Sequence, residues 1–128
     1  MTHRILIVED QPDIRKLIRM TLEFSDFEIH EAQDGESGLN MARAIKPHVM
    51  LLVVMMPGLL DGYQVCQRIK SDADLKQIQV VMLTARGQAT DIATGEASGA
   101  DAYLVKPFSP LELIDRVEAM VEGLGQNR

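Results

Sequence analysis

A chain of 128 residues with 46% apolar and 25% charged residues has the profile of one soluble globular domain, long enough to bury roughly two thirds of its unfolded surface. Its net charge of −6 and the lack of a visible basic patch argue against a nucleic-acid surface, because binding phosphates takes clustered lysine and arginine. The longest apolar run, Val49 to Met56, is too short to cross a bilayer and no signal-peptide apolar region follows Arg4, so cytoplasmic residence, no membrane contact and protein partners are expected.

Ile5 to Val8 reads as a short buried strand that runs into Glu9 and Asp10. Asp13 to Phe24 is predicted to be a helix with Ile14, Leu17, Ile18, Thr21 and Leu22 on its core stripe. Phe27 to Glu31 alternates and reads as an edge strand, and after Asp34-Gly35 a helix with Leu39, Ala42 and Ile45 on one face is stopped at Lys46-Pro47, since the residue before proline avoids the helical region. Val49 to Met55 is the next strand, and a helix carrying Val65, Cys66 and Ile69 starts after Asp61-Gly62. Cys66 is the only cysteine, which excludes an intrachain disulfide and reads as a buried helix thiol. Val80 to Leu83 is a strand closed by Thr84, and Gln88 to Ala97 is predicted as the most mobile helix because it offers only Ile92, Ala93 and Ala97 as core contacts. Ala102 to Val105 is the last strand, closed by Lys106-Pro107. Ser109-Pro110-Leu111-Glu112 is a capping box opening a helix with Ile114, Val117, Val121 and Leu124 on one face, with Gly123 and Gly125 expected to end it.

This alternation of non-alternating apolar strands with amphipathic helices predicts a parallel sheet covered on both faces, whose functional crevice lies beyond the carboxyl ends of the strands. Glu9, Asp10, Thr84 and Lys106 all fall there. Two neighbouring carboxylates repel, and Mg²⁺ relieves that by taking oxygen ligands while keeping several waters. A lysine and a threonine hydroxyl opposite them suit phosphoryl oxygens. Each element alone has an ordinary reading: Glu9-Asp10 or Asp13 as a helix cap, Thr84 and Lys106-Pro107 as turn residues, Tyr103 as packing. Their conjunction at several strand ends is what points to phosphoryl chemistry.

Ile-Leu-Ile-Val-Glu-Asp at 5–10, Ala-Gln-Asp-Gly-Glu at 32–36, Met-Met-Pro-Gly at 55–58 with Asp61-Gly62, Val-Val-Met-Leu-Thr-Ala at 80–85 and Gly-Ala-Asp-Ala-Tyr-Leu-Val-Lys-Pro-Phe at 99–108 together resemble the receiver domain of response regulators in two-component signalling. The resemblance implies a CheY-like, three-layer, doubly wound (βα)5 flavodoxin-like α/β fold with strand order 2-1-3-4-5, spanning residues 1–124 with 125–128 as a tail or the start of a linker. By the same resemblance Glu9 and Asp10 hold Mg²⁺ with the backbone carbonyl of Met55, Thr84 is the switch hydroxyl, Tyr103 the aromatic that turns inward on activation, and Lys106 the phosphate contact. The implied partners are a sensor histidine kinase or phosphotransfer protein and a downstream effector protein or domain. A homodimer or partner face is implied on the helix at 88–97, the last strand and the last helix.

Two features depart from the pattern. The position that takes phosphate in the family holds Val53, and no carboxylate lies anywhere from Val49 to Met56. Valine matches aspartate in size but neither attacks phosphorus nor ligates a metal, so the receiver's own phosphoryl transfer and dephosphorylation, the only reactions such a domain catalyses by the resemblance, are expected to be lost and Mg²⁺ affinity weakened. An engineered phosphorylation-dead variant fits, favoured by the retained Thr84 and Lys106; so does a natural pseudo-receiver acting by protein contact alone. The second departure is Leu59-Leu60, one residue longer than the commonest form of that loop and expected to leave two leucines exposed beside the site, there to pack or to self-associate. A metal-dependent hydrolase would need a base near Thr84, and His3, His30 and His48 lie elsewhere in sequence. A flavin module would need a phosphate-binding loop where Glu9-Asp10-Gln11-Pro12 stands.

Overall fold

Five apolar strands pair in parallel in the order β2-β1-β3-β4-β5, β1 being His3–Val8, β2 Phe27–Ala32, β3 Val49–Val53, β4 Gln79–Ala85 and β5 Ala102–Lys106. The computed structural model describes residues 3–54, 58, 60–85, 99–106 and 109–126, the side chains at 85, 106 and 123–126 excepted. Four helices are described: α1 Pro12–Leu22, α2 Gly35–Ile45, α3 Gly62–Ser71 and α4 Pro110–Gln126. The expected α/β fold and strand order are borne out, while the helix predicted at 88–97 lies outside the described residues.

Side-chain alternation along the strands builds two cores, one on each face of the sheet. Leu6, Val8, Met50, Leu52, Val80 and Met82 join Leu39 and Ala42 of α2 and Val65, Cys66 and Ile69 of α3. Ile5, Ile7, Leu51, Val53, Val81 and Leu83 join Ile18 and Leu22 of α1 and Leu113 and Val117 of α4. The apolar stripes read from spacing are corrected at two places. Leu17, expected in the core, is 55% exposed, because α1 rests on the sheet through Ile18 and Leu22 and leaves one flank of its broad stripe outside. In α4 the fully buried pair is Leu113 and Val117, with Ile114 half-buried.

Helix ends follow local chemistry. α1 begins with Pro12 and its N-cap, Gln11, makes no side-chain capping bond, so neither Asp10 nor Asp13 serves as the cap. Asp34 caps α2 by accepting from the Ser37 N–H at 2.7 Å, and the bonds from Ser37 hold its carboxyl below the usual range. The Ser109–Glu112 box is present, the Glu112 N–H donating to Ser109 Oγ and the Ser109 N–H to Glu112 Oε1, each at 3.1 Å. α4 runs on through Gly123 and Gly125 to Gln126, past its expected end. A glycine costs a helix only about 1 kcal/mol and keeps its N–H, so the ladder continues. Lys70 of α3 pairs with Asp101 at 2.7 Å, and Asp101 accepts from the Val80 N–H at 2.8 Å, fastening the entry to β5 against α3 and β4.

The amino-terminal edge of the sheet carries a histidine pair, with the His3 and His48 rings edge to face at 4.9 Å. His48 Nδ1 accepts from the Arg4 N–H at 3.0 Å, while the Arg4 guanidinium donates to the carbonyls of Ile45 and Lys46. Burial, then the charge of Arg4 and of His3, push the His48 imidazole below its ordinary value. The folded state therefore favours neutral His48, and its stability contribution is complete above the unfolded value near 6.5 and drains away as pH falls below it. Acidification from pH 7.5 to 5.5 is expected to lower the melting temperature more in this chain than in His48→Asn; equal losses would remove His48 as the cause.

Candidate functional site

Register brings the strand ends to one rim. Val8 pairs with Ala32 and Leu52, Val53 with Leu83, Thr84 with Val105 and Ala85 with Lys106. Glu9 follows directly on β1, so Glu9, Val53, Thr84 and the backbone of Lys106 finish four neighbouring strands. Val53 is 5% exposed and belongs to the core beneath α1 and α4. The ladder of β3 stops there, two residues short of the Met55 expected from sequence, because the next residue turns away. The Val54 N–H donates to the Leu83 carbonyl at 3.2 Å, and the Val54 carbonyl accepts from the Gly62 N–H at 2.9 Å.

Glu9 is fully buried. Its N–H donates to the Ala32 carbonyl at 3.1 Å, its Oε2 accepts from the Gln11 N–H at 3.2 Å, and its own carbonyl accepts from Arg15 Nη1 at 2.8 Å. Asp10 is half-buried, and its side chain makes no hydrogen bond among the described residues. Thr84 is 1% exposed, and its Oγ1 has no partner among the described residues. Tyr103 packs inward against the cluster under α2 and α3, with its hydroxyl buried. Met55 and the Lys106 side chain lie outside the described residues.

The response regulator receiver domain, as a family model, matches residues 5–118. The chain belongs to that family. It is 43% identical over 121 residues to the transcriptional regulatory protein SrrA of Staphylococcus aureus, covering 94% of this chain and 48% of that protein. The chain thus spans about half the length of the curated relatives it matches. The signal receiver domain of a signal transduction histidine kinase from Syntrophus aciditrophicus superposes with a TM-score of 0.91 at 27% identity, over 99% of this chain and 96% of that one. The chemotaxis protein CheY4 of Vibrio cholerae does so at 0.86 and 28%, over 94% and 99%. This is a receiver domain of two-component signalling.

Receivers as a family are Mg²⁺-dependent, and the side chains at this rim fit such an ion in part. Glu9 and Asp10 offer hard oxygen donors, the kind Mg²⁺ prefers. Val53 offers none, and no group of three or more potential metal-ligating His, Cys, Asp or Glu side chains occurs among the described residues. His3 and His48 sit at the opposite edge of the sheet, and His30 bonds Glu28 on β2.

The longer loop of this receiver differs from expectation. Leu60 is 8% exposed and packs in the α2/α3 core. A Cβ on Gly35 would come within 2.5 Å of the Leu60 carbonyl oxygen and 2.9 Å of its Cβ. A side chain expected on the surface is thus a peg that seats the extra residue; Leu59 lies outside the described residues. Apolar exposure occurs instead at Leu17, Met20 and Phe24, the last 89% exposed, and at Val105 and Leu111 on β5 and α4. Sequence spacing gave no sign of the first group, since Leu17 shares its period with the core. Among the described residues no helix is long and apolar enough to cross a membrane.

Proposed function

We propose that this receiver occupies the phosphoacceptor place in a two-component phosphorelay but forms no acyl phosphate, because Val53 stands where the accepting carboxylate belongs. The observation that carries the reading is the position of Val53, ending β3 between the strands that deliver Glu9 and Thr84. Glu9 and Asp10 would hold Mg²⁺, with the Met55 carbonyl as a further ligand, and the ion when bound would neutralise charge on a phosphoryl group. Thr84 Oγ1 and Lys106 would contact that group's oxygens, and Tyr103 would report the state by its inward packing. With valine in place the pair holds Mg²⁺ more weakly, no separate substrate is turned over, and the domain is not an enzyme. The otherwise intact rim favours an engineered loss of the acceptor in an ordinary receiver.

The test is intact mass after exposure to a small-molecule phosphodonor with Mg²⁺, beside Val53→Asp. Phosphoryl gain by Val53→Asp alone is the expected result. Labelling of the chain as it stands would make another carboxylate, such as Asp10, the acceptor and sink the reading. Labelling of neither would favour the second reading, a phosphorylation-independent interaction module, which the exposed Leu17, Met20 and Phe24 support. Partners under either reading are a histidine kinase or phosphotransfer protein and an effector, by contact through cytoplasmic protein surfaces.

A further inference from the structure

We propose that Arg15 is a positioning residue for the acidic pair. This inference rests on the reading of Glu9 and Asp10 as the cation-holding groups. Arg15 lies in the first half of α1 and donates in two directions: Nη1 to the Glu9 carbonyl at 2.8 Å and Nε to Glu31 Oε1 of β2 at 3.1 Å. Glu31 is held from its other oxygen by Arg19 Nη1, and Arg19 also reaches Glu23 at 3.3 Å. The guanidinium is thus braced between the end of β1 and the edge strand, with only 19% of the side chain exposed.

The consequence falls on Glu9. Its N–H is fixed by Ala32, its carboxylate by the Gln11 N–H and its carbonyl by Arg15. A residue tied at all three polar groups has little freedom in φ, ψ or side-chain direction. The peptide that carries Arg15's bond is also the one that leads into Asp10, so the same contact orients the second carboxylate. Partners bonded to a metal ligand's own side chain are worth about 10–100-fold in metal affinity; Arg15 acts through the Glu9 backbone, one step further out, and its effect falls toward the low end of that range or below it.

Sign separates this role from a charge effect. Arg15 is a cation beside a cation site, so by Coulomb repulsion alone its removal would tighten metal binding. Positioning requires the opposite, a weakening. A merely structural Arg15 would lower the melting temperature and leave affinity unchanged.

The experiment is titration with Mn²⁺, a spectroscopically visible stand-in for Mg²⁺, read by the free-ion EPR signal. It uses the chain as it stands and its Val53→Asp version, each with Arg15→Ala, Arg15→Lys, Glu31→Gln or Asp10→Asn, with far-UV circular dichroism confirming folding. Arg15→Ala is expected to weaken Mn²⁺ binding severalfold, up to about tenfold. Arg15→Lys, which keeps the charge but cannot span both partners, should fall between it and the parent, and Glu31→Gln should weaken binding less. Should Arg15→Ala fail to fold, Arg15→Lys and Glu31→Gln decide by the same sign. Unchanged or tighter binding in the Arg15 variants, with Asp10→Asn abolishing it, overturns the positioning role and keeps the metal reading. Indifference of Mn²⁺ affinity to Asp10→Asn overturns both.

Discussion

Val53→Asp is expected to melt roughly 10 °C lower than the parent chain without Mg²⁺ and to recover most of that loss when the ion is supplied. Val53 is almost fully buried in the core under α1 and α4, and Glu9, wholly buried, ends the neighbouring strand. Exchanging valine for a carboxylate gives up about 1.5 kcal/mol of apolar burial. It also sets a third negative charge among two others; at an effective dielectric near 20, one like-charge contact at about 4 Å costs about 4 kcal/mol before relaxation. Solvent at the rim and protonation of one carboxyl discount that, leaving about 3 kcal/mol, which for a domain of this size corresponds to the stated shift. A divalent ion between the carboxylates reverses the sign of the interaction, so stability becomes metal-linked. The measurement is thermal unfolding of both proteins with EDTA and with millimolar Mg²⁺. A Val53→Asp protein that melts higher than the parent in EDTA would end the argument from repulsion.

Gly62→Ala is expected to cost about 2 kcal/mol net, although alanine is the better helix former. Gly62 is the first residue of α3, capped by Asp61, whose side chain accepts from the Gln64 N–H at 2.9 Å while Gln64 returns the bond to the Asp61 N–H. A Cβ there would stand 2.3 Å from the Val53 carbonyl oxygen and 2.9 Å from Val54 Cα. Both are backbone atoms of the strand end and cannot swing aside. Helix propensity returns only about 1 kcal/mol, whereas forced overpacking of this kind costs about 1–3 kcal/mol and occasionally more. Moving α3 outward would also stretch the Gly62 N–H bond to the Val54 carbonyl. Chemical denaturation checks the size, and in the Val53→Asp background the same change should slow phosphoryl uptake, because α3 abuts the acceptor's own carbonyl. A variant within about 0.5 kcal/mol of the parent would mean that the strand end yields freely.

Much of this was readable before the fold was known. Ile5–Val8, Val80–Leu83 and Ala102–Val105 announce strands by unbroken apolar runs, and the polar residues that close them locate the rim. Val53 is legible for the same reason: in a stretch with no carboxylate, no shift of register supplies one. What stayed hidden depends on tertiary geometry. Periodicity places Leu17 and Ile18 on one broad stripe, but only the sheet's footprint decides that Ile18 is covered and Leu17 is not. Leu60 looked like loop surface, and the glycine whose missing Cβ makes room for it, Gly35, is distant in sequence. Arg15 lies off the apolar stripe of its helix, and nothing in its spacing announces a bond to a carbonyl six residues earlier. The roles assigned to Met55 and the Lys106 side chain rest on the resemblance.

Cys66 gives this chain a clock of its own. The sole thiol is completely buried in α3, packed in the core with Leu39, Leu52, Leu60 and Met82. A thiol reagent in solution reaches it only when α3 lifts from the sheet, so the rate of alkylation at a reagent concentration that outpaces reclosing is the rate of that opening. No label or substitution has to be introduced. Since α3 begins on the backbone of Val53 and Val54, the same reaction timed with and without Mg²⁺ would report whether an ion at the rim slows the breathing of that helix.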